Sequence, residues 1–169
     1  MSTLRLKNNS PEHECTYALR KKSLDKLGVL LENTSQDIDK LPIIGSSFWE
    51  KGSLIFNISN TFWYEKTNHA LPGIPLGFKV KTFLKRTHPA YVVNEDETSV
   101  TVCFCTSKEN KTCDFIPKGS KLDRTGYIVK TNTYVIGGNA QVHFFRGFKF
   151  HNVPRFAGTW PITKLEKTK

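Results

Sequence analysis

Between residues 53 and 145 the chain is written as short apolar or alternating runs, each about one strand long and each closed by turn residues. No feature restricts the fold more. Residues 53–58 read Ser-Leu-Ile-Phe-Asn-Ile, a β-type run, and residues 77–83 alternate apolar with polar, as a half-exposed strand does. Residues 89–93 and 99–105 follow, separated by the acidic turn Asn94-Glu95-Asp96-Glu97, which is a hairpin signal. Residues 126–130 and 133–136 continue the pattern, and Gly137-Gly138-Asn139 is expected to turn the chain into residues 141–145. No helical period alternates with these runs. The expectation is therefore a mainly β protein, an antiparallel sheet closed into a small barrel. Residues 59–76 are rich in Asn, Thr, Pro and Gly and hold Phe62, Trp63 and Tyr64, so they read as a long loop of the kind that is often functional.

The flanks differ in texture. Ser10-Pro11-Glu12 offers an N-cap, a proline suited to the first helical position and an early acid. Tyr17, Leu24, Leu27 and Leu31 then recur at helical spacing, with Arg20, Lys21 and Lys22 largely off that stripe. Asn33 suits the stop, and Ser35 can cap a short helix through Ile38 to Leu41 that Pro42 must end. The expected organisation is a helical extension over residues 1–42, a barrel over 50–145 and a basic, aromatic C-terminal segment over 146–169. That last segment shows no helical or strand period, and its final six residues are expected to fray.

Twenty-five Lys and Arg against fifteen Asp and Glu give a net charge of +10 over 169 residues, which asks for an acidic partner, nucleic acid first among them. No apolar run approaches the ~18 residues of a membrane span, and the first ten residues lack the apolar centre of a signal peptide. A soluble, cytoplasmic protein with no membrane partner is the expectation. Cys15, Cys103, Cys105 and Cys113 are then expected as reduced thiols. They lack the paired C-x-x-C spacing of structural zinc sites and read as small core residues rather than metal ligands. Gly-x-Gly-x-x-Gly, Gly-Lys-Ser/Thr and His-Glu-x-x-His are absent, which leaves nucleotide hydrolysis and zinc proteolysis without support.

The order of the runs resembles one family. Lys51-Gly52-Ser53-Leu54-Ile55-Phe56 is similar to the opening strand of the MazF/PemK-like toxin endoribonucleases, which begins at a turn glycine. His88-Pro89-Ala90-Tyr91-Val92-Val93 resembles their Arg-Pro signature strand, and residues 100–107 resemble the strand that follows and ends in Thr or Thr-Ser. Residues 122–136 resemble the late hairpin. The resemblance spans residues 50–137 and implies an SH3-like, MazF/PemK-type barrel, a homodimer, with no cofactor. It further implies cleavage of single-stranded RNA by the substrate's own 2′-hydroxyl without a metal, and an antitoxin protein that blocks the site.

On that resemblance Thr106 matches the family's strand-ending threonine, whereas His88 stands where the family has its arginine, with Arg86 two residues earlier. An imidazole exchanges protons near neutral pH, and a guanidinium supplies fixed charge and forked donors. The catalytic candidates are thus His88 as general acid or base, Arg86 as phosphate clamp and Thr106 as donor. Lys85, Lys108, Lys111, Trp63, Arg146 and Lys149 are candidate RNA contacts, the aromatics for stacking and the cations for phosphate. Two other readings stand beside this one. In the first, the site is inactive, His88 only orders the turn before Pro89, and the barrel binds a regulatory protein. In the second, the chain binds nucleic acid and performs no chemistry. For Phe62 to Tyr64 and for residues 144–160 the competing reading is structural: aromatics packed on the barrel, the latter as a C-terminal strap.

Overall fold

A computed structural model describes residues 38–44, 49–67 and 79–168. The helix expected after Pro11 lies outside these residues. Of the short helix expected before Pro42, residues Ile38–Lys40 form one 3₁₀ turn.

Among the described residues seven strands make one antiparallel sheet: β1 (Ser53–Ser59), β2 (Thr87–Glu95), β3 (Ser99–Thr106), β4 (Asp114–Ile116), β5 (Thr133–Phe145), β6 (Arg155–Thr159) and β7 (Glu166–Lys167). Their order across the sheet is β6-β1-β2-β3-β5-β4-β7. The β2–β3 hairpin is held at its turn by Asp96. Its carboxylate accepts the backbone N–H groups of Thr98 and Ser99, both at 2.8 Å, and these donors pull its pKa down to about 2.

Both faces of the sheet are buried, which explains the near-continuous apolar runs. Ile55, Ala90, Val92, Val102, Phe104, Tyr134 and Ile136 point to one face, where Trp49, Phe62, Trp63 and Phe156 complete the core. Leu54, Tyr91, Cys103, Cys105 and Val135 point to the other, beneath Leu122, Tyr127 and Val129 of the β4–β5 connection. That connection also curls the sheet into a half-barrel. Asp123 exchanges both backbone hydrogen bonds with Thr159 of β6, at 3.0 and 3.1 Å, so the segment after β4 reaches the opposite edge. Where the two backbones meet, Gly158 has φ +129°, and a Cβ there would lie 2.7 Å from Leu122 Cβ and 2.8 Å from the Asp123 carbonyl oxygen.

Several expected elements differ. Residues 59–67 are no loop: α1 (Asn60–Lys66) starts at Ser59, whose hydroxyl accepts the Thr61 N–H, and stops at Thr67, whose hydroxyl donates to the Trp63 carbonyl. Of the alternating run 77–83, the first two residues lie outside the described ones and the rest form not a strand but part of α2 (Lys79–Leu84). Side chains of α1 reach the carbonyls at the end of α2, Asn60 Nδ2 donating to Phe83 O at 2.8 Å and Thr61 Oγ1 to Leu84 O at 3.5 Å. These contacts satisfy groups that a helix end leaves open. The Gly137-Gly138 pair does not reverse the chain. Phe104 pairs with Ile136 and Cys103 with Gln141, so residues 137–140 bulge out of one strand, with Gly138 at φ +60°. Residues 126–130 contribute only an isolated bridge between Lys121 and Ile128.

The C-terminal segment is structural as well. β6 pairs with β1, and β7 pairs with β4 where fraying was expected, so the sheet extends past residue 145. Between β5 and β6, Phe148 and Phe150 pack on Phe62 and Phe144, with Phe150 also stacked on Trp49, which is the strap arrangement.

Candidate functional site

The start of β2, the end of β3 and the loop after β3 lie at one end of the sheet, and most of the predicted site residues gather there. Lys85 and Arg86 are exposed on the bend that links α2 to β2, and His88 is the second residue of β2. The β2–β3 pairing ends at Ala90 and Phe104, two residues from His88 on one strand and two from Thr106 on the other. Strand alternation places both side chains on the face of Phe104. Lys108 and Lys111 are exposed in the loop beyond, beside the exposed Glu109.

His88 is half-buried. Its ring lies tilted over Phe104 at 4.6 Å between centroids, with Phe83 at 6.0 Å. Nδ1 is 2.6 Å from Asn60 Oδ1, and the His88 carbonyl accepts the Trp63 indole N–H at 3.2 Å. Burial first, then the positive charge of Arg86, lower its pKa below the ordinary 6.5. At neutral pH the ring is therefore uncharged and able to accept a proton. Thr106, half-buried, accepts the Lys108 N–H at 3.2 Å, which leaves its hydroxyl proton available to a phosphoryl oxygen.

Three candidates stand apart from this group. Trp63 is fully buried and presents no ring face to a base. The competing reading of the 62–64 aromatics holds, because Phe62 and Trp63 fill the core under α1. Arg146 lies at the opposite end of β3, about 25 Å from Thr106 by strand length. Its guanidinium pairs with Glu95 at 2.6 Å and donates to the Asp96 carbonyl, so it braces the β2–β3 hairpin. Lys149 is exposed near Arg146, on a shallow surface with Trp49, Phe148 and Phe150.

Asn60 is the site residue that sequence reasoning missed. It lies 28 positions from His88, inside a stretch that read as a loop, and only the packing of α1 on β2 joins the two. A groove of about 800 Å³ opens on the other face of β2, lined by Thr87, Pro89, Asn57, Phe56, Asp39 and Lys130 among others. Thr87 and Pro89 flank His88 in sequence and alternate away from it, so the groove and the imidazole lie on opposite faces.

Burial pushes the Cys103 thiol up to about 11 and the Cys105 thiol well above its ordinary value, consistent with core residues. Among the described residues no group of His, Cys, Asp and Glu could hold a metal ion, and no helix is long and apolar enough to cross a membrane. Compared with protein-family models, curated proteins and solved structures, the chain matches none.

Proposed function

We propose that this chain is a MazF/PemK-like, SH3-type barrel that binds single-stranded RNA at the end of the sheet around His88 and cleaves it by transesterification. The observation that carries this reading is the convergence on one sheet end of a neutral imidazole, a guanidinium and a threonine hydroxyl, fringed by Lys85, Lys108 and Lys111. In the proposed reaction His88 takes the proton of the 2′-hydroxyl, whose oxygen attacks phosphorus. Arg86 and Thr106 donate to the non-bridging oxygens as charge builds, and the proton His88 took up passes from the imidazolium to the 5′-oxygen as the P–O5′ bond breaks, so that oxygen leaves as a hydroxyl with a 2′,3′-cyclic phosphate as the other product. A cytoplasmic setting, a homodimer and a blocking antitoxin belong to the same proposal and rest on the resemblance alone.

The test is incubation with a long, partly unstructured RNA in EDTA. Cleavage should fall at least a hundredfold in His88→Ala and Arg86→Ala, and less in Thr106→Ala, on the order of the 10²–10⁴ that general acid–base groups contribute. Affinity should fall with salt at a log–log slope of about −3 if Lys85, Arg86, Lys108 and Lys111 each meet a phosphate.

A second reading is favoured by the way His88 is held. Its carbonyl, its Nδ1 and Asn60 together pin α1 to β2, a structural use that needs no substrate. On that reading the barrel is an inactive module that binds a regulatory protein. Absence of both cleavage and RNA binding at low salt selects it, whereas salt-sensitive binding without cleavage selects a nucleic-acid-binding module.

A further inference from the structure

Asn60 occupies the point where β1 passes into α1, and it is fully buried between β2 and the end of α2. Its backbone N–H donates to the Arg86 carbonyl at 2.9 Å. Its side-chain Nδ2 donates to the Phe83 carbonyl at 2.8 Å. That second bond fixes which way the amide faces. Turned around, Oδ1 would meet the Phe83 oxygen, two acceptors with no hydrogen between them. Oδ1 therefore faces His88 Nδ1 at 2.6 Å. An acceptor at that distance requires the hydrogen to be on Nδ1, and a neutral imidazole carries only one. The lone pair is left on Nε2.

We propose that Asn60 is a positioning residue that holds His88 as its Nδ1–H tautomer and so makes Nε2 the atom that takes up the proton. The catalytic consequence rests on the RNA-cleavage reading; the tautomer itself does not. Around the ring, α1 supplies the neutral Asn60 amide, β3 supplies Phe104, and the cation acting on it is Arg86. A carboxamide suits this position. It fixes the tautomer as a carboxylate would, without the negative charge that would favour the imidazolium and remove the base at neutral pH.

The experiment is long-range ¹H–¹⁵N correlation on the full chain with labelled histidine, His88 being assigned by its loss in His88→Gln. In mildly alkaline solution wild-type His88 should show a protonated Nδ1 and an unprotonated Nε2. The reverse pattern overturns the proposal. Asn60→Asp keeps an acceptor facing Nδ1, so the Nδ1–H form should persist; its second oxygen meets the Phe83 carbonyl, and the apparent pKa rises where the carboxyl stays ionised and is unchanged where it takes a proton to bond that carbonyl. Loss of the Nδ1–H form in Asn60→Asp overturns it too. In Asn60→Leu the Nε2–H form should gain population, and if that variant does not fold, wild type and Asn60→Asp decide the matter. With RNA, the limb of the pH–rate profile that reports the base should move in Asn60→Asp by the same amount as the NMR titration. A wild-type chain with the expected tautomer and no cleavage would remove the RNA-cleavage reading and leave Asn60's role intact.

Discussion

Replacing Gly158 by alanine tests the closure of the half-barrel, because this glycine lies where the β4–β5 connection crosses β6. Two costs combine. An alanine at φ +129° is held in a sparsely populated backbone region, about 1–3 kcal/mol. Its Cβ would also press on Leu122 Cβ, the Asp123 carbonyl oxygen and Thr125 Oγ1, all within 2.8 Å, and overpacking of this kind costs about 1–3 kcal/mol. None of the three obstacles can simply swing aside. Leu122 Cβ is fixed by its own backbone, Asp123 O is backbone, and the Thr125 hydroxyl is bound between the Ala157 carbonyl and the Tyr127 N–H. The expected loss is about 2–6 kcal/mol, a large share of the ~5–15 kcal/mol that holds a domain folded. At roughly 2–4 °C per kcal/mol for a chain of this size, the melting temperature should drop by roughly 4–24 °C. Urea titration followed by near-UV circular dichroism measures the loss directly. Gly137→Ala is the control: nothing lies within 4 Å of its added methyl group, and a change within about 0.5 kcal/mol is expected. If Gly158→Ala unfolds at the wild-type midpoint, the close approach of the connection to β6 is not present in solution.

Other outcomes follow from single contacts. The His88 pKa lies below 6.5 in the folded chain, so the unfolded chain takes the proton first as pH falls. Stability should be full above 6.5 and decline as pH drops through the folded value; urea midpoints between about pH 8 and pH 5 measure this, and Arg86→Gln should flatten the decline. Arg146→Ala breaks a largely buried pair with Glu95 and should cost about 3 kcal/mol, with little change in RNA affinity; a large affinity loss without destabilisation would return Arg146 to the binding surface. Among the described cysteines, Cys113 should be alkylated first in the native protein, since Cys103 and Cys105 are buried with raised pKa values. Mass spectrometry of briefly treated protein gives the order.

The β2–β3 hairpin was legible because its strands carry apolar residues on both faces and its turn carries Asp96, all local signals. The two short helices were not. Residues 77–83 have the period of a strand, but tertiary hydrogen bonds from Asn60 and Thr61 to the end of α2 outweigh it. Gly137-Gly138 marks a turn by composition, yet β3 pairs with the chain on both sides of it, and the pair becomes a bulge. The site was half legible: Lys85, Arg86, His88 and Thr106 stand beside strand ends, and the topology brings those ends together. Trp63 and Arg146 misled, since an aromatic and a cation look the same in sequence whether they face solvent, a core or a carboxylate.

What the amino-acid order determined by itself is the class of the fold and the location of its charge: short strand-length runs, turn residues between them and cations before β2 and after β3. Hydrophobic period and turn chemistry act over a few residues, and they survive any packing that keeps those runs paired. Only the tertiary structure decided what His88 is. Its partner lies 28 residues away in α1, its neighbour Phe104 on the next strand, and its depressed pKa comes from burial that no local spacing encodes. The strand places an imidazole at the end of the sheet; the helix packed across it determines which nitrogen carries the proton.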